Sequence, residues 1–437
     1  MNKKGLSIPV LIAIVIGNMV GTGIFVLPAS LAKYGTISLF SWLFTSFGAL
    51  LLAITFTFLN KRFPHTGGPY LYCKHAFGRL TGFIIAIMYW LSNMVCIAGV
   101  CLAATSYLGF AFPILNSNNP TYEPSYSLML ELAIIWLFTL INILGIQLAG
   151  LVQLFLTTIK VIPLIIIIIF GLGNIHLVNL TQFNIDNTSN YDALSHAATL
   201  TFWAFIGLEA AVIPSENTSG ASAVSKATIW GTLISISIYI LISFVLMGMI
   251  SVVELQNSSF PIAKAGSMLF GPLGALIITI FAYISGIGAL NVCLLIQGQI
   301  IFAAARDNLF PRWLAKVSRR GIPIRGQLIS STLISLLLIL TMEPTFIKQF
   351  DFIALLAALF ALTTYLVSAL AEIKFIYQDQ IPLVNKIFNK STLIVVFATA
   401  YSFWMISSLS FSVLKFDFLT IASCIPVYYF FIKKYSH

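Results

Sequence analysis

Charge is what this chain has least of. Asp, Glu, Lys and Arg make up only 8% of its 437 residues, whereas a soluble domain carries about 25%. Hydrophobic residues reach 59% and the mean hydropathy is +0.99. Too few charges are present to solvate a soluble surface, so the chain is read as an integral membrane protein. Cysteine is also scarce: residues 73, 96, 101, 293 and 424 are odd in number, sit mostly in apolar stretches, and show neither disulfide nor zinc spacing. Five scattered histidines argue against a metal centre. Phosphate-binding GxxxxGK[ST], HExxH and GxSxG motifs are absent, and no catalytic cluster or cofactor fingerprint replaces them. A membrane enzyme is therefore not expected, and no cofactor is. The net charge of +10 sits in short loops between apolar segments, which speaks against nucleic acid as a partner. No removable signal peptide is expected, because the first apolar segment is too long and lacks a small-residue cleavage pattern.

What is present is a series of apolar segments, each about the 20 residues that a bilayer requires. Twelve are read, near 8–33, 37–60, 81–112, 126–145, 150–174, 193–215, 227–252, 269–304, 326–342, 349–374, 391–411 and 414–432. No long polar stretch divides them, so residues 1–437 are expected to form one all-α membrane domain in contact with the lipid bilayer. Of the Lys and Arg residues in the loops, eighteen fall on one side and four (Lys33, Lys264, Lys348, Lys415) on the other. By the positive-inside rule both termini are cytoplasmic, which agrees with an even number of crossings in an inner or plasma membrane. The polar connections 113–125 and 175–192 lie outside, and Asn179 and Asn187 there match a glycosylation acceptor pattern.

Gly21-Thr22-Gly23 interrupts the first segment. A helix crossing lipid must satisfy its backbone internally, so such a break is tolerated only where protein, water or a ligand meets the freed groups. The plainer reading is that Gly17 and Gly21 form a small-xxx-small packing contact. Five segments later Trp203-Ala204-Phe205-Ile206-Gly207 places a second glycine at depth. An odd offset puts the two halves in opposite orientation. Paired interrupted helices in inverted halves point to a transporter binding site. Repeat one would span about 8–174 and repeat two about 193–374, with two extra helices at about 391–432. Two ionisable residues are read as lying well inside spans, Lys160 and Glu209, and each needs a partner or a purpose there. Lys160 is either a cation satisfied by carbonyls of a broken helix or a lysine that exchanges a proton during transport. Glu209 is either a hydrogen-bonded internal carboxylate or a gate or proton site beside the second break. An ion channel is the rival class, but two isolated charges do not make the polar lining it needs.

Four stretches resemble the amino acid–polyamine–organocation superfamily, and within it the bacterial basic amino acid/polyamine antiporter group. They are Gly17 to Pro28 (GNMVGTGIFVLP), Phe63 to Tyr70 (FPHTGGPY), Thr201 to Glu209 (TFWAFIGLE) and Ala304 to Pro311 (AARDNLFP). The resemblance runs from about Ile12 to Tyr365 and more weakly beyond. It implies a LeuT-like five-plus-five inverted repeat with helices 1 and 6 broken, and alternating access to a site between them. Val20, Gly21, Thr22, Gly23 and Ile24 would bind the substrate carboxylate through backbone N–H groups, as helix N-termini hold anions. Trp203, Ala204, Phe205, Ile206 and Gly207 would form the other half, with free carbonyls of 203–205 taking the ammonium group and Trp203 covering the substrate. Tyr89, Glu209 and Tyr365 match an inner gate of the arginine/agmatine antiporters. Lys160 falls where some members carry a lysine in place of a sodium ion. A homodimer and coupling to protons are compatible with the family.

The chain also departs from that pattern. Cys293 stands where the arginine/agmatine antiporters have a tryptophan, Ile97 replaces an asparagine and Ala357 a serine. With Asn93 these form the expected specificity wall. Guanidinium donors would go unpaired against it. A neutral amino acid is thus expected as substrate, with a cationic amino acid/polyamine antiporter as the alternative.

Overall fold

A computed structural model describes residues 5–432 apart from 116–120, 122, 145, 187, 319–320, 341–345 and 380–388. Asn187 of one acceptor pattern, and Lys3, Lys4, Arg319, Arg320, Lys386, Lys433 and Lys434 of the loop count, lie outside the described residues.

The first segment is two helices, α1 (Ile8–Met19) and α2 (Gly23–Ala32), separated by residues 20–22. α3 (Ile37–Arg62) follows, ending on Lys61 and Arg62, cations well placed at the negative end of a helix dipole. The stretch expected as a loop after it contains a nine-residue helix, α4 (Pro69–Phe77), begun by a proline in its first turn. Gly78 closes α4 and opens α5 (Arg79–Leu108). α6 (Pro124–Leu144) and α7 (Ile146–Gly171) complete the first half, and α7 runs through Pro163 without ending.

α8 (Asn190–Trp203) starts on Ser189, whose hydroxyl accepts the N–H of Asp192, and stops at Trp203. Then come α9 (Ala221–Met249), the five-residue α10 (Val252–Gln256) and α11 (Pro261–Arg306). α11 bends at Gly271, whose φ of +69° is open to glycine and is followed by Pro272. Residues 261–270 therefore extend the expected eighth segment by a helical piece that composition placed in a loop. α12 (Ile324–Leu340), α13 (Phe346–Gln378), α14 (Lys390–Ser407) and α15 (Phe411–Val427) close the chain.

Among the described residues, ten helical stretches are long and apolar enough to cross a membrane. α12 is apolar but shorter, at 17 residues, and α8 is cut off by the break. Large side chains such as Phe47, Phe155 and Ile169 stand more than 60% exposed on outward faces, as a lipid-facing surface requires. Several serines and threonines inside the spans turn back onto their own helices, as Thr55 does on Leu51 and Ser235 on Gly231. That keeps their hydroxyls satisfied where water is absent. α5 packs against α11 and α13, α1 against α7 and α9, and α3 against α8 and α9. Both interrupted helices thus lie in the interior.

Candidate functional site

At the first break, Gly21 N–H bonds the Met19 carbonyl at 2.8 Å rather than that of Gly17. Gly17 O is left without its helical donor, and Lys160 Nζ supplies one at 2.7 Å. Ser285 of α11 stands 3.3 and 3.4 Å from the carbonyls of Val20 and Gly21. Thr22 reaches Val100 O at 3.5 Å. No backbone acceptor among the described residues takes the N–H groups of Thr22, Gly23 or Ile24. These are the groups expected to hold a carboxylate, and they open the first turn of α2.

The second break is more closed than expected. From Trp203 to Val212 the chain winds in tight three-residue bonds: Ile206 N–H to Trp203 O, Leu208 N–H to Phe205 O, and Ala210 N–H to Gly207 O. Tyr239 donates to Ala204 O at 2.9 Å. The carbonyls of Trp203, Ala204 and Phe205, expected to be free for an ammonium group, are each engaged already. A buried carbonyl left unmet is costly, so the chain closes on itself.

The two breaks meet at two points. A Cβ on Gly23 would lie 2.0 Å from Cζ3 of Trp203, so the indole rests directly on that glycine. Gly207, with φ of +99°, faces Asn18, whose Nδ2 would lie 2.2 Å from a Cβ. Asn18 Oδ1 in turn accepts from the Cys293 thiol at 2.9 Å. Trp203 and Ile206 are 5% exposed, so these two side chains of the second break are buried.

Tyr89, Glu209 and Tyr365 are brought together. Tyr89 donates to one carboxyl oxygen of Glu209 at 2.5 Å, Tyr365 donates to the other, and Gly207 N–H donates to the Tyr365 oxygen at 3.2 Å. All three side chains are buried, and Glu209 makes no ion pair among the described residues. The wall residues are buried too. Asn93 spends its amide on Tyr89 O of its own helix at 2.9 Å, and Ala357 offers its carbonyl to Ser92 at 3.0 Å.

Sequence reasoning missed several residues. Ser285 and Asn18 were given no role, although a polar side chain inside an apolar run was the available signal. Glu209 and Lys160 are also not alone at depth: Glu131 lies buried in α6, Glu372 in α13 and Asp417 in α15. Glu372 pairs with Arg62 at 3.0 Å and Asp417 is bonded by Thr363. Periodicity hid them because each sits near a span end or on a helix with few other charges.

At one end of the bundle, the side expected to be cytoplasmic, the Phe63–Tyr70 and Ala304–Pro311 stretches come together. Lys74 pairs with Asp307 at 2.8 Å, and Arg306 grips Glu216 through two bonds of 2.9 Å, with His65 at 3.5 Å. The guanidinium holds the Glu216 carboxyl below its ordinary value. Leu6 is bridged to the same loop, its N–H reaching Asn217 O at 2.8 Å. These contacts tie the three loops and the N-terminal stretch of chain at Leu6 together.

Paired broken helices enclosing unpaired N–H groups, within a bundle of apolar spans, define a multi-pass membrane transporter. The amino acid permease family model matches residues 6–431, and the chain belongs to that family of the amino acid–polyamine–organocation superfamily. It is 31% identical over 336 residues to the cadaverine/lysine antiporter of Escherichia coli strain K12, covering 75% of this chain and 72% of that protein. It is 29% identical to the arginine/ornithine antiporter of Pseudomonas aeruginosa, over 84% of this chain and 78% of the relative. With the putrescine transporter of Haemophilus influenzae it shares 28% identity, over 81% and 80%.

Proposed function

We propose that this protein is an antiporter of cationic amino acids or polyamines, working by alternating access in a bacterial inner membrane with both termini cytoplasmic. The expectation of a neutral substrate is set aside in favour of the alternative, because the relatives are named for lysine, cadaverine, arginine, ornithine and putrescine. One observation in the chain itself carries this reading. Glu209 is a buried carboxyl held by two tyrosine hydroxyls and, among the described residues, by no cation. An uncompensated buried carboxylate is costly, and a cationic substrate group would complete it. The wall at Asn93, Ile97, Cys293 and Ala357 then shapes the space for the aliphatic part, while Glu209 supplies charge.

In this reading the N–H groups of Thr22, Gly23 and Ile24 take the carboxylate of an amino acid, and Trp203 closes over it. Tyr89 and Tyr365 close the inner side with Glu209. Ten long spans, the shorter α12 and the interrupted α8 make twelve crossings, arranged as two inverted sets of five and two further helices. Lys160 fills the place of a cation at the end of α1, so the cycle needs no sodium ion.

Exchange in proteoliposomes tests the function. Vesicles loaded with lysine, arginine or putrescine should take up labelled arginine or lysine, and excess putrescine or ornithine should compete where leucine does not. Competition by leucine or alanine but not by the cationic compounds would restore the neutral reading. No exchange of any of these by folded protein would sink the transport reading itself.

A further inference from the structure

We propose that Asn142, Asn291, Gln153 and Thr157 form a one-way hydrogen-bond chain that positions α1 and sets the balance between the closed and inward-open forms. The inference rests on the alternating-access reading above. Asn142 Nδ2 donates to Asn291 Oδ1 at 3.1 Å. Asn291 Nδ2 donates to Gln153 Oε1 at 3.2 Å and to Ala149 O at 3.2 Å. Gln153 Nε2 donates to Thr157 Oγ1 at 2.9 Å, and the threonine hydroxyl donates to Ala13 O of α1 at 3.0 Å. The four side chains come from α6, α11 and α7, and none is more than 5% exposed.

Direction is fixed by the chemistry. Each amide accepts on oxygen and donates on nitrogen, and the last hydroxyl has a single proton, which goes to α1. Gly17 makes the room, because a Cβ there would lie 1.8 Å from Gln153 Nε2 and 2.9 Å from Thr157 Oγ1. One turn on, Lys160 holds Gly17 O, so α1 is gripped twice by the same face of α7.

Helix packing alone would not place four polar side chains at membrane depth. Buried in a low-dielectric core, they are stable only when every link is made. α1 carries the end of the first segment read as cytoplasmic, and in the alternating-access reading inward opening moves it away from α7. That movement breaks the last link and leaves the Thr157 hydroxyl proton without its acceptor on α1. The chain is therefore complete in the closed form and broken only on inward opening, which is the differential interaction an equilibrium shift demands.

Thr157→Val tests this, because it keeps the side-chain shape and removes the hydroxyl; Thr157→Ser restores it. KM for arginine is measured from the outer and from the inner face of oriented proteoliposomes. In Thr157→Val the ratio of outer to inner KM should rise about five-fold, the factor one hydrogen bond supplies, and Thr157→Ser should return it toward the wild-type ratio. An unchanged ratio, with or without a lower maximal rate, overturns the proposal, since a merely structural residue would change only the amount of working protein. If Thr157→Val is not recovered folded, Asn142→Leu at the far end should move the ratio in the same direction, and an unmoved ratio there overturns the proposal equally. No exchange by the wild-type protein removes the transport reading and this inference with it, an outcome distinct from an active variant with an unchanged ratio.

Discussion

Gly23→Ala is the sharpest perturbation that the site allows. Gly23 is the first residue of α2, and its backbone needs no glycine-specific conformation. Alanine there gains helix propensity of about 1 kcal/mol over glycine. The obstacle is the lid. The added methyl would stand 2.0, 2.6 and 3.1 Å from three carbons of the Trp203 ring, where carbon atoms prefer about 3.5–4.0 Å. An indole is rigid, so the ring must move by about 1.5 Å to restore ordinary contact. Overpacking of this kind costs about 1–3 kcal/mol, which corresponds to about 5–150-fold in affinity. Because the displaced group is the one proposed to close the site, the loss should fall on substrate binding and exchange, with thermal stability in detergent held near wild type. Two glycines calibrate the effect. Gly99→Ala meets Ile353 at 3.0 Å and Trp203 only at 3.7 Å, and Gly173→Ala meets nothing within 4 Å. Arginine affinity by tryptophan fluorescence or exchange kinetics should therefore fall most in Gly23→Ala, less in Gly99→Ala and not at all in Gly173→Ala. Wild-type affinity in Gly23→Ala, or equal losses in all three, would refute the placement of Trp203 as the lid.

Other perturbations read separate parts of the site. Tyr365→Phe removes a donor to Glu209 and the acceptor of the Gly207 N–H; exchange should drop about ten-fold or more, since each buried polar group left unmet costs about 1–3 kcal/mol, and unchanged exchange kinetics would remove Tyr365 from the gate. Lys160→Met keeps the bulk but leaves Gly17 O without its donor, so folding stability should fall by about 1–3 kcal/mol; an unchanged melting temperature would show that the cation does not hold the break. Ser285→Ala strips the hydroxyl from the carbonyls of Val20 and Gly21 and should lower stability by about 0.5–1.5 kcal/mol, measured by the same melting assay, with no change expected for Ser407→Ala on an exposed helix end. The lowered pKa of Glu216 means that its pairing with Arg306 stabilises the fold fully above the ordinary carboxylate value of 4.5, and that this contribution is lost as pH falls through the lower, folded-state value. Glu216→Gln should lack that acid-dependent component in a pH series of melting curves, and an identical series in both proteins would count against it.

The order and position of the helices were legible because lipid imposes a simple rule on sequence. Every span needs a run of apolar residues of fixed length, so the boundaries read from composition fall within a few residues of α3, α6 and α14. The interruption at Gly21-Thr22-Gly23 was legible for the same reason, since two glycines in a run that must be helical leave a mark. α4 and residues 261–270 were not, because short helices at the membrane surface mix polar and apolar residues and look like loops. The buried carboxyls of Glu131 and Asp417 escaped for a related reason: one charge in twenty residues does not disturb an apolar pattern.

Residue types and their order thus determined the membrane class, the helices and the two places where helix is interrupted. Contacts between residues far apart in the chain were decided only by the tertiary structure. The Trp203 ring rests on Gly23, and Lys160 satisfies a carbonyl 143 residues away at Gly17. The carbonyls of 203–205 looked free in sequence, because a broken helix must leave acceptors open. They are taken in the fold because Tyr239 arrives from α9 and the chain tightens its own turns. Local pattern records what a segment must bury; which partner it buries against depends on how α1, α7 and α11 pack, and hydrophobic periodicity is the same for every partner.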